Sequence, residues 1–229
     1  MKKRANLFVS AVLLALCGIA VYKIYLIATQ RFHENTVLKQ IVGRLEADSR
    51  VAEVLVTGVN YNETDQKTYT TIKFLEYDSA GRPLAPKYFT FSGNIIQFQS
   101  LVVRFDDRFV RQADALKGKS AYLFWKVFVL DGEQTQEYAI TKVNAVPEGY
   151  QLDPPEDPVE SKFWMSFWAY ALDPQRAKSE GIKNAQIEAP GTMFVPGNIY
   201  TIKIEHDGGL RIDASPLSEI LMGEQIPPL

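Results

Sequence analysis

Two histidines and one cysteine leave this 229-residue chain short of the side chains most catalytic and metal-binding sites are built from. The cysteine, Cys17, lies inside an apolar run, so no disulfide framework and no cysteine metal cluster can form within the chain. His33 and His206 are too few for a histidine-based zinc site, and they give a Ser–His–acid triad little material. Gly-x-Ser-x-Gly, a glycine-rich phosphate loop and His-Glu-x-x-His are all missing. No cofactor is implied, and the enzyme reading is the weaker one.

Positive charge is scarce where nucleic acid would need it. Residues 1–50 carry 8 Lys/Arg and 3 Asp/Glu, whereas residues 51–229 carry 17 and 24. An acidic outer portion lacks the basic footprint that phosphate contacts require, which argues against a nucleic-acid partner. It equally disfavours a domain lying flat on an anionic leaflet. A domain without cysteine that is exported suits a bacterial envelope better than a small secreted module.

The N-terminal apolar run is present in full. Ala5–Tyr22 holds no charge, Lys23 interrupts, and Ile24–Ala28 continues. Eighteen helical residues span about 27 Å, close to the hydrocarbon thickness. Lys23 can snorkel, and Tyr22 and Tyr25 fall where an interfacial aromatic belt belongs. Lys2, Lys3 and Arg4 precede the run, so the positive-inside rule keeps residues 1–4 cytoplasmic and sends residues 30–229 across. The lipid bilayer is therefore an expected partner through Ala5–Ala28. A signal peptide cut after Ala20 and a lipoprotein signal using Cys17 are weaker alternatives: the apolar run continues past Ala20, and Leu16 is large where a lipoprotein signal wants a small residue.

Residues 29–50 read as a helical stalk. Leu38, Ile41 and Leu45 share one seam, which suits either self-association of anchored protomers or packing on the chain's own domain. The seam covers fewer heptads than a coiled coil needs, which favours the second use.

From Val51 the period changes to two. Val51–Val59, Lys67–Tyr77, Lys87–Phe91, Ala121–Leu130 and Tyr138–Val143 read as strands, and Ile95–Phe98 with Leu101–Phe105 as two short strands or one bent strand, separated by turn residues such as Asp78–Pro83. Ala121–Leu130 is too short to cross a bilayer as a helix, so it reads as a central strand buried on both faces. Asp106–Leu116 suits a short helix. The fold class expected is mainly β, all-β or α+β: an antiparallel sandwich or small barrel over 51–145, with a helical insert near 159–180. A Pro-rich loop covers 146–158. The remainder, 159–229, supplies the insert and a C-terminal hairpin packed on the same domain. In it, Lys183–Glu188, Met193–Val195, Ile199–Glu205 and Leu210–Asp213 are strands, and Pro216–Met222 is a helical turn.

Val159–Leu172 is the clearest amphipathic helix, with Phe163, Trp164, Phe167 and Trp168 on one face. Those four residues are the candidate partner-binding surface, and covering a sheet is the competing use. Among the acids, Asp106 and Asp107 are adjacent and face opposite ways on a strand. Asp153, Glu156 and Asp157 lack the alternating spacing of a calcium loop. The function expected is a non-enzymatic binding or assembly component of the cell envelope, its partner another envelope protein or a second copy. A carboxylate-dependent envelope hydrolase and a carrier of small apolar ligands or lipids are the alternatives.

Overall fold

The computed structural model describes residues 2–45, 50–105, 120–131, 134–152, 157–179, 182–204 and 209–219. The chain divides into two units, Met1–Gln40 and Ile41–Leu229.

The first unit consists of most of helix α1, Lys2–Leu45. Forty-four residues make a rod about 66 Å long. Leu14, Leu16, Val21, Tyr22, Ile24 and Tyr25 are each more than half exposed. This is one helix long and apolar enough to cross a membrane. At the end of the apolar stretch, Thr29 Oγ1 donates to the Leu26 and Tyr25 carbonyls at 2.9 and 3.0 Å. The Thr29 hydroxyl is thereby satisfied within the helix.

The second unit is a two-sheet antiparallel sandwich. Its strands are β1 (Arg50–Asn62), β2 (Lys67–Glu76), β3 (Lys87–Ser92), β4 (Ile95–Phe105), β5 (Ser120–Asp131), β6 (Gln134–Ala139), β7 (Ile182–Glu188), β8 (Gly191–Met193), β9 (Asn198–Ile204) and β10 (Leu210–Pro216). The first sheet runs β10-β9-β1-β2-β3. The second runs β6-β5-β4-β7, with β8 also paired to β4. The C-terminal third thus completes both sheets: β9 pairs with β1, and β7 and β8 pair with β4.

Alternation fixes the inner faces. Ala52, Val54 and Val56 on β1 and Ile72 and Phe74 on β2 meet Ile96, Phe98, Tyr122 and Phe124 from the second sheet. Phe74 lies between Phe98 and Phe124, at 5.6 and 5.5 Å between ring centroids. Aromatic rings at these separations fill the space between the sheets. The architecture is a sandwich and not a closed barrel, because β3 and β6 meet through side chains instead of a ladder. Tyr138 Oη donates to the Thr90 carbonyl at 2.9 Å, and Ser92 N–H donates to Gln136 Oε1 at 2.9 Å.

Several expected elements shift. Of the two readings of Ile95–Phe98 and Leu101–Phe105, the single strand holds: they form β4, with a register irregularity at Gln99/Ser100. The strand placed at Tyr138–Val143 is β6 at Gln134–Ala139, since Gln134 already pairs with Asp131. Its polar first half sits at a sheet edge, where no burial selects for apolar residues. Pro216 closes strand β10, so the helical turn expected over Pro216–Met222 starts only at Glu219, with 220–222 outside the described residues; β8 starts at Gly191, before Met193. Asp106–Leu116 and the turn at 206–208 lie outside the described residues.

Along β5, residues Ala121–Phe124 are buried in succession, which shows that both faces are covered. The inner face meets the first sheet. Helices α2 (Pro158–Leu172) and α3 (Pro174–Ser179) pack on the opposite face, against β4 and β7.

Beyond the end of β6, the free edge of β5 is served by side chains. Thr141 Oγ1 donates to the Phe124 carbonyl at 2.8 Å. The Tyr150 hydroxyl donates to the Tyr122 carbonyl at 2.7 Å and accepts from the Tyr122 N–H at 3.3 Å. One phenol so replaces a missing strand. Tyr150→Phe should strand both backbone groups, at a cost of about 1–3 kcal/mol read by thermal unfolding of the full chain in detergent.

Candidate functional site

Helix α2 begins where sequence chemistry dictates. Asp157 is the N-cap: its Oδ1 accepts from the Val159 and Glu160 N–H groups at 2.8 and 3.4 Å, and Pro158 occupies the first helical position. Asp157 therefore spends its carboxylate on the helix end. Asp153 and Glu156 lie outside the described residues, as do Asp106, Asp107 and His206. His33 is exposed on α1.

The aromatic face of α2 turns into the domain. Trp164, Phe167 and Trp168 are buried, and Phe163 is half-buried. Trp168 packs edge-on to Trp125 of β5 at 6.1 Å, and its Nε1 donates to the Ala145 carbonyl at 2.9 Å. Trp164 stands 5.0 Å from the Tyr150 ring and 5.1 Å from Phe167. Of the four candidate partner-binding residues, Phe163 alone keeps partial access to solvent.

The stalk seam is divided as well. Ile41 and Leu45 are buried at 1% and 3% exposure and belong to the domain unit, as does buried Val42; Leu38 belongs to the unit before it. The last turn of α1 is part of the domain core. A self-association seam using Ile41 and Leu45 would have to take them from that core.

Around this turn sits a polar cluster that sequence reading missed. Arg44 Nη1 donates to the Tyr150 carbonyl at 3.1 Å. Glu160, in the first turn of α2, is fully buried, and its Oε1 accepts from the Leu152 N–H at 2.9 Å. Glu160 Oε2 and Trp164 Nε1, one helical turn apart, are buried with no hydrogen-bond partner among the described residues. Burial pushes the Glu160 carboxyl above the ordinary glutamate range; the Leu152 N–H and the Arg44 charge pull it down, and Asp157 pushes it up. The legible signal was Asp157-x-x-Glu160, the spacing of a capping box, in which the glutamate would fold back on its own cap. Here it reaches Leu152 instead.

The exposed surface offers a different feature. Ile95 on β4 pairs with Met193 on β8. Gln97 pairs with Phe128 on β5, and two residues further along each strand lie Ile95 and Leu130. Ile95, Leu130 and Met193 are 57%, 61% and 55% exposed, an apolar row on the second sheet. Among the described residues, no group of three or more His, Cys, Asp or Glu side chains is placed to hold a metal ion.

Comparison with family models, curated proteins and solved structures gives no match to this chain.

Proposed function

We propose that the chain is a single-pass membrane protein of the cell envelope, with a cytoplasmic N-terminus and an extracytoplasmic β-sandwich that binds or organises another envelope component. The observation that carries this reading is α1. Its described apolar residues from Leu13 to Ile27 are exposed, while Ile41, Val42 and Leu45 in its last turn are buried. An exposed apolar helix needs lipid as its solvent. Lys2, Lys3 and Arg4 set its direction.

A binding role is favoured over chemistry. The apolar row of Ile95, Leu130 and Met193 is the kind of surface that partners cover. Among the described residues, the buried glutamates are Glu76 and Glu160, which stand on the first sheet and on α2, on opposite sides of the second sheet. A hydrolase needs its two carboxylates about 5–10 Å apart across a cleft. The ring packing between the sheets weighs against a ligand carrier, which needs an apolar cavity of several hundred Å³.

Alkaline phosphatase fused after Leu229 tests the topology. It should be active in intact cells, with the fusion retained in washed membranes. Activity found only with a cytosolic reporter at the same position would overturn the reading. For the binding role, the gently solubilised protein should run as a stoichiometric complex or oligomer; a lone monomer would count against it.

A further inference from the structure

The strongest unassigned feature is the polar cluster beneath the last turn of α1. Three elements converge there. Arg44 comes from α1, the backbone of Tyr150 and Leu152 from the segment edging β5, and Glu160 and Trp164 from α2. A buried carboxylate is retained at a cost unless its oxygens are satisfied. Here one oxygen has a donor and the other does not, while the guanidinium on the neighbouring element is engaged by a carbonyl.

We infer that Glu160 is a proton-sensitive latch between the end of the membrane helix and the β-domain, with Arg44 as the cation that balances it. In its neutral form the carboxyl sits in the core at little electrostatic cost, and α1's last turn stays seated. In its ionised form it places an uncompensated charge in the buried first turn of α2, and Arg44 must then serve it instead of the Tyr150 carbonyl. Among the described residues, the charged groups acting on it are Arg44 and Asp157.

The direction follows from linkage. The folded protein holds the Glu160 proton more tightly than the unfolded chain does. Stability from this site is therefore complete below the ordinary glutamate pKa and is lost as pH rises through the folded value. The latch is tightest in acid and loosens toward neutrality.

The test uses the full chain in detergent micelles, with Tm measured across pH 4–8. Glu160→Gln keeps the shape and removes the proton. Relative to wild type it should gain stability progressively as pH rises, the difference widening by roughly a few degrees. Arg44→Gln should move the ionisation of Glu160 to higher pH, because the lost cation no longer favours the carboxylate, and should deepen the loss of stability once Glu160 does ionise. Hydrogen exchange of the 41–45 amides should quicken with pH in wild type, beyond the intrinsic rate, and not in Glu160→Gln. Parallel pH profiles for wild type and Glu160→Gln, with equal exchange protection, would overturn the latch. If either variant fails to fold, a carboxyl titration of Glu160 in the wild-type protein decides: a value at or below the ordinary glutamate range sinks the proposal.

Discussion

Trp168→Ala is expected to lower the stability of the β-domain by about 3–5 kcal/mol, the range for removing a large aromatic from a packed core. Trp168 is fully buried, touches the rings of Trp125 and Phe167, and donates to the Ala145 carbonyl. The substitution therefore opens a cavity and removes a hydrogen bond in one step. For a domain of this size the loss corresponds to a fall in Tm of roughly 6–20 °C. Phe163→Ala on the same helix removes a half-exposed ring and should cost far less. The comparison separates two uses of one aromatic face. If α2 gripped a partner through Trp168, the variant would lose binding and keep its Tm. A Tm unchanged within a degree or two would mean that α2 does not cover the second sheet in solution.

Strand content was legible because it is local. Thr70, Ile72, Phe74 and Glu76 alternate with half-buried neighbours, and that face is the one the sandwich buries. The turn at Asp78 was legible for the same reason: its Oδ1 accepts from the Ala80 and Arg82 N–H groups, and Gly81 takes a positive φ of 74°. The run of buried residues at Ala121–Phe124 pointed to a doubly covered strand, and the helix that covers it came from its own 3.6-residue stripe. Pairing across the chain was not legible. Nothing in the local pattern of Ile199–Ile204 says that it lies beside β1, some 150 residues earlier in sequence. β6 was displaced because an edge strand tolerates polar residues, so Gln134–Glu137 carries no burial signal. Barrel and sandwich could not be told apart either, since the difference rests on side-chain bonds from Tyr138 and Gln136 to β3. The polar cluster was hidden because its members sit at 44, 150, 152 and 160, and only the fold brings them together. The heptad-like spacing of Leu38, Ile41 and Leu45 gives an apolar seam, but spacing does not say what such a seam packs against.

That last ambiguity leads to a large expected effect. A fragment beginning at residue 46 should be far less stable than one beginning at residue 29, although both lack the apolar run and keep every strand. The shorter fragment loses Ile41, Val42 and Leu45, all buried in the domain unit, and the Arg44 bond to the Tyr150 carbonyl. At about 1.5–3 kcal/mol for each buried apolar side chain, the loss is about 5–9 kcal/mol. Domains of this kind hold only about 5–15 kcal/mol in total, so the fragment from 46 should be largely unfolded. Urea unfolding of the two fragments, followed by circular dichroism, reads the difference directly. Equal midpoints would mean that the end of α1 is a dispensable tether. A collapse on removing 29–45 would mean that the last turn of α1 belongs to the folding unit of the sandwich, since Ile41, Val42 and Leu45 are then part of what holds it together.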